Sequence, residues 1–180
     1  DPLVSRQGRY DVVVVLEGPM RPEVVRRKGR VLGVWLNLDS VTFKNVPISY
    51  SIATTRQFQD ITEPQNYQRL ALGAGNFYLE PDDPLESKAS VEEFAKALRT
   101  LKASTGLYSE TVGGVQFLSQ NLFRATLRLA PDVPVGTHRA RAFLFKSGAF
   151  VRETSALLAI QKSGAEQQIY DAAHKHGLYY

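Results

Sequence analysis

Cysteine is absent from this chain. Disulfides, thiolate zinc sites and cysteine nucleophiles are therefore excluded, and any stability has to come from packing alone. No apolar run approaches the roughly 18 residues that a membrane-spanning helix needs. The opening segment from Asp1 is polar and lacks the basic-then-apolar pattern of a secretory leader. Histidine is scarce, with three in all. His174 and His176 sit two apart, which does not match the four-residue step that puts two ligands on one helix face. His138 falls in a strand pattern. No glycine-rich phosphate loop follows a strand, and no nucleophile elbow surrounds Ser119. Asp82 and Asp83 lie between prolines without the spaced oxygen ligands of a calcium loop. No nucleophile, base and orienting group can be named together, so the sequence points to a non-enzymatic protein with no metal and no cofactor.

What remains is ordinary globular material. The chain has 180 residues, 43% of them hydrophobic, a net charge of +4 and a pI near 9.4, with a mean hydropathy of −0.22. That length supports one good core or two small domains. The positive balance suits anionic partners in general, although simple solubility also explains it.

Tyr10 to Leu16 (YDVVVVL) reads as a buried strand, because it is short, apolar and rich in β-branched residues. Val24 to Lys28 reads as a short strand or edge. Arg30 to Asn37 reads as a clearer strand with both faces apolar, placed mid-sheet or between layers. Val41 to Phe43 reads as another short strand. Ile48 to Arg56 alternates, with Ile48, Tyr50 and Ile52 on one face and Ser49, Ser51 and Ala53 on the other. Residues 60–112 read as a helical insertion. In it, Thr62-Glu-Pro-Gln65 and Ser90-Val-Glu-Glu93 have the form of capping boxes. The second opens a helix over Val91 to Ala103 with an apolar stripe of Phe94, Leu98 and Leu101.

Strands return from Val115. Phe123, Ala125, Leu127 and Leu129 alternate with Arg124, Thr126 and Arg128. Thr137 to Phe145 and Phe150 to Gln161 form a hairpin about Lys146-Ser-Gly148. Ala165 to His176 reads as a helix. The expected fold is mainly β: an immunoglobulin-like antiparallel β-sandwich over residues 1–162, carrying the insertion at 60–112. A helical juxtamembrane segment over 163–180 completes it.

The densest feature is the cationic cluster Arg26, Arg27, Lys28 and Arg30, which runs into the only tryptophan, Trp35. It is either a solvated strand edge that blocks edge-to-edge pairing, or a docking patch for anionic lipid or an acidic partner. Trp35 and Asn37 share a strand face, and Trp35 is expected in the core. Tyr50 and Arg56 share a face by period-two spacing and, with Arg30, are candidates to line a small-molecule or anion pocket. Arg124, Arg128, Arg139 and Arg141 form a basic stripe on strands expected to be neighbours. Nucleic-acid binding would want aromatics interleaved there, which Phe143 and Phe145 supply only in part, and core packing explains those two equally well.

Four stretches carry a family resemblance: Tyr10 to Pro19, Val25 to Asn37 (VRRKGRVLGVWLN), Leu118 to Lys162, and Ile169-Tyr-Asp-Ala-Ala-His174. The chain resembles the alphaproteobacterial putative transmembrane protein family. The resemblance implies a signal peptide, a periplasmic region and one C-terminal membrane helix beginning just after Tyr180. It also implies an accessory role beside a partner such as a sulfite-exporter-type permease in the inner membrane. It assigns no catalytic residue.

Overall fold

The computed structural model of the protein describes residues 6–161, 168–174 and 177–179. Eleven strands fall into three sheets. The valine run becomes β1 (Tyr10–Glu17), the middle strand of a five-stranded sheet. On one side it pairs with β4 (Tyr50–Thr54), and on the other with β8 (Gly136–Lys146). β8 turns into β9 (Ala149–Ile160) through Ser147 and Gly148, at φ 52° and 84°. Two consecutive positive-φ residues give the turn whose twist suits a two-residue hairpin.

The fifth strand departs from an all-antiparallel plan. β5 (Tyr108–Val112) lies parallel to β4, in register from Tyr50↔Tyr108 to Thr54↔Val112. A parallel neighbour needs a crossover, and the helical insertion supplies it. The insertion therefore ends before Tyr108, and the last residues of the 60–112 block are strand. Its helices are α1 (Phe58–Ile61), α2 (Pro64–Arg69) and α3 (Lys88–Ser104). Neither capping box forms as its spacing suggests. Thr62 donates its hydroxyl to Gly148 O at 2.5 Å, and α2 starts after Glu63 with proline in its first turn. α3 begins three residues earlier than expected, because Ser87 caps it by accepting from Ser90 N at 3.1 Å. Phe94, Ala95 and Leu98 are buried along α3, whereas Leu101 faces solvent and Lys102 takes the inward position.

A second sheet holds β6 (Val115–Ser119), β7 (Leu122–Arg128), β10 (Gln168–His174) and β11 (Gly177–Tyr179), in the order β11-β10-β7-β6. Where the expected C-terminal helix falls on described residues it is strand: Gln168–His174 pairs antiparallel with β7 over seven positions, and the rest of that expectation, residues 165–167 and 175–176, lies outside the described residues. The free edge of β7 outweighs the helix preference of the alanines, a tertiary override of local propensity.

The two sheets meet across one core. Val12, Val14, Leu16, Ala53, Ala140, Ala142, Leu158 and Ile160 of the first pack on Val115, Ala125 and Leu127 of the second. The alternate residues of the first sheet face the helices: Val13, Val15, Tyr50, Ile52, Phe143 and Phe145 bury Ile61, Tyr67 and Leu72. This is the period-two logic of a strand buried on both sides. Arg6, just before β1, is tied to the helices as well, donating to Gln59 O and Thr62 O at 2.6 and 3.0 Å from Nη2.

The third sheet is the largest departure from the expected strands. β2 (Met20–Val31) and β3 (Val34–Pro47) form one long two-stranded hairpin. Arg30 to Asn37 is not a single mid-sheet strand. It folds back on itself at Leu32-Gly33.

Candidate functional site: a projecting hairpin arm

The base of the hairpin belongs to the body. Val25, Val41, Phe43 and Val46 join Phe94, Ala95 and Leu98 of α3 in a third apolar cluster. Lys102, buried, donates to Glu23 Oε1 at 2.8 Å and to Ile48 O at 3.0 Å, clamping α3 to the start of β2. Arg27 is held by Glu93 at 3.1 Å and lies over the Phe94 ring at 5.5 Å.

Beyond Arg27 none of the described residues outside the hairpin covers it, and residues 31–40 are all exposed. A register shift between Arg27 and Lys28 leaves Leu38 as an extra residue on β3. Such a bulge bends and twists the arm away from the body. Gly29 has no Cβ, and one placed there would collide with Leu38 Cδ1, so the leucine lies across the glycine.

Pairing fixes the two faces, since directly opposed residues share a side. One face carries Gly29/Leu36 and Val31/Val34 with Leu38 across them, and the Arg27/Asp39 pair separates these from the apolar residues that α3 covers at the base. The other carries Arg26/Ser40, Lys28/Asn37 and Arg30/Trp35. Leu32 at the tip is 100% exposed, Trp35 67% and Val34 58%. Trp35 is therefore not a core residue; it shares a face with Asn37 as expected, but that face looks outward. The cationic cluster splits by parity. Arg27 is consumed at the base by Glu93 and, at 3.9 Å, by Asp39. Among the described residues Arg26, Lys28 and Arg30 have no carboxylate within ion-pair distance; Arg30 Nε donates only to Gly33 O, at 3.3 Å.

The other predicted site residues go elsewhere. Tyr50 is 2% exposed; its hydroxyl accepts from Gly73 N at 2.9 Å, and burial pushes its pKa up. Arg56 chelates Asp11 through Nε at 2.9 Å and Nη2 at 2.8 Å, and that carboxylate raises its pKa. Arg30 stands on the arm, in a different sheet from Tyr50 and Arg56. The structure does not bring the three into one pocket. The arginine stripe divides too, with Arg124 and Arg128 in the second sheet and Arg139 and Arg141 in the first. Arg141 is bound to Glu17 and Glu153, at 2.9 and 2.8 Å. Phe143 and Phe145 are core residues.

One concavity had no signal in the sequence. A cleft of about 750 Å³ opens between the β6–β7 turn and the β1–β8–β9 face, lined by Phe117, Phe123, Leu144 and Arg152 among others. Its residues come from five strands spread along the chain from Tyr10 to Thr154, and no spacing rule joins them. Among the described residues no three potential metal ligands converge, and no helix is long and apolar enough to cross a membrane.

Among the described residues the chain is thus a mainly β body carrying an exposed hairpin arm with an apolar and a cationic face. Residues 2–180 match the model of the alphaproteobacterial family described as "Putative transmembrane protein", and the chain belongs to that family. Neither a curated protein nor a solved structure matches it.

Proposed function

We propose that this chain is a non-enzymatic interaction domain of a single-pass inner-membrane protein, working on the periplasmic side as an accessory to a membrane partner such as a sulfite-exporter-type permease. One observation carries the reading. The body ends in an arm whose outer half, beyond the Arg27/Asp39 pair, presents the exposed apolar residues Val31, Leu32, Val34, Leu36 and Leu38. An exposed row of this kind on a folded domain marks a contact surface. Membership of a family of transmembrane proteins supports a setting beside the bilayer. The two facing sheets support an immunoglobulin-like reading of the body, with the parallel β4–β5 pair as its departure. A C-terminal membrane helix after Tyr180 would hold the domain where the arm can reach its target.

Cross-linking mass spectrometry on the native protein in its own membranes tests the partner. Reproducible links from Lys44, at the base of the arm, or from Lys28 to one integral membrane protein are the expected result. Well-sampled data with self-links only would refute the accessory role. The cleft supports a second reading, an anion- or small-molecule-binding module, because Arg152 is a cation beside apolar walls. A ligand whose binding is lost in Arg152→Gln and kept in Arg30→Gln would favour it.

A further inference from the structure

We infer that the arm docks directly on an anionic bilayer surface, laying its apolar face and tip into the headgroup–acyl boundary. The inference deepens the membrane-side reading above and rests on it for the position of the domain. The apolar side of the arm presents Val31, Val34, Leu36 and Leu38, with Leu32 at the very end. The uncovered part spans about four residue pairs, or roughly 13 Å at the rise of a strand. That is enough to bridge a headgroup layer, and too short to cross the hydrocarbon.

The opposite side fixes the charge of the target. Arg26, Lys28 and Arg30 recur every second residue and face no carboxylate among the described residues. Their long stems can run along the arm while the charged heads stay at phosphate level. Trp35 stands beside Arg30, suited to the same depth. A surface of many mobile monovalent anions needs no fixed geometry, and it matches three exposed, unconstrained cations. Arg27 provides the contrast: the cation that does have a protein carboxylate is pinned at the base.

The tip itself carries a cost. Leu32 adopts φ 50°. This is a left-handed conformation that a bulky side chain occupies at an energetic penalty and that glycine or asparagine would occupy at less. The leucine is fully exposed, so it gains no packing within the fold to offset that penalty. Its side chain gains a contact only when something outside the protein covers it.

Trp35 is the only tryptophan, so tryptophan emission, excited to the red of the tyrosine band, reports this site alone. The full chain is titrated with protein-free vesicles of phosphatidylcholine alone and of equimolar phosphatidylcholine and phosphatidylglycerol. The expected result is a blue shift, with quenching by acyl-chain bromolipid, on the anionic vesicles only. Replacing Arg26, Lys28 and Arg30 together by Gln should weaken binding about a hundredfold, at about fivefold per cation. Leu32→Ser should abolish the quenching. Arg124→Gln, on an exposed part of β7, should change nothing. These positions are exposed, and unchanged far-UV circular dichroism establishes that each variant is folded.

Equal binding to neutral vesicles, no spectral shift on anionic ones, or equal weakening by Arg124→Gln overturns the inference. So does a blue-shifted Trp35 in buffer that reddens on dilution, which would make a second copy the occupant. The vesicles contain no protein. Cross-links to a permease with no vesicle binding would therefore sink the inference and leave the accessory role standing; the reverse pattern would do the opposite.

Discussion

The clamp at the root of the arm gives the sharpest test of how the body is held together. Lys102 is 5% exposed, and its ammonium sits 2.8 Å from Glu23 Oε1, 3.0 Å from Ile48 O and 5.9 Å from the centre of the Tyr108 ring. Truncation by Lys102→Ala leaves the Glu23 carboxylate largely buried, with only Arg21, at 3.3 Å and mostly in solvent, to balance it. Removing one partner of a buried pair costs about 3–5 kcal/mol. The residual help from Arg21 places this case near the lower end, at about 3 kcal/mol. With a urea m-value of about 2 kcal/mol/M, the unfolding midpoint should fall by about 1.5 M. The double variant Glu23→Leu/Lys102→Met removes both charges and keeps most of the volume, so it should recover most of the loss. Urea melts of the wild type, Glu23→Leu, Lys102→Met and the double variant close the cycle, with Lys102→Ala measured beside them. A single-variant loss below about 1 kcal/mol, or a double variant as unstable as the sum of the singles, would refute the reasoning.

Three further outcomes follow from other contacts. His138 is buried, its Nε2–H donates to Pro134 O at 2.7 Å, and Nδ1 has no partner, so desolvation lowers its pKa below the ordinary 6.5. The unfolded chain then takes up the proton first. His138 should therefore contribute stability above about pH 6.5 that is lost as pH falls below it, and His138→Gln should flatten the stability–pH curve there, as read by urea melts at several pH values. Ser87→Ala removes the cap on α3 and should cost about 1 kcal/mol, lowering Tm by about 2–4 °C in a thermal melt. At Gly114 an added Cβ would stand 2.9 Å from Thr126 O and 3.2 Å from Ala53 Cβ, between the two sheets. Gly114→Ala should destabilise by about 1–3 kcal/mol, measurable as a lower urea midpoint.

The parts of the fold that could be read in advance are those where local chemistry and tertiary placement agree. The valine run of β1, the alternation in β7 and the Ser147-Gly148 turn each carry their own signal. The arm was missed because its turn does not. Leu32-Gly33 supplies the required positive φ with a leucine, a residue that turn rules discount, so the flanking apolar residues read as one buried strand. The bulge at Leu38 then sets Trp35 opposite Arg30. β10 was missed for the opposite reason, since its helix-favouring alanines yield to a vacant strand edge that only the folded partner provides. At the candidate site, the cationic cluster was visible as composition. Its division into one spent and three free cations depends on the register of β2 against β3. Tyr50 and Arg56 were grouped by spacing, but Gly73 and Asp11, which claim them, approach only in three dimensions.

The central place of β1 governs the order in which this molecule can be made. Tyr10 pairs with Lys146 and Glu17 with Arg139, so β1 waits for a strand translated more than a hundred residues later. Contacts of such long sequence separation are slow to close. Until β8 arrives, Val12 to Leu16 has an unpaired edge, and an apolar edge of that kind recruits strands from other chains. The arm, by contrast, is a local hairpin and can close as soon as its own residues are synthesised. The nascent chain can thus close its arm well before the five-stranded sheet has its core.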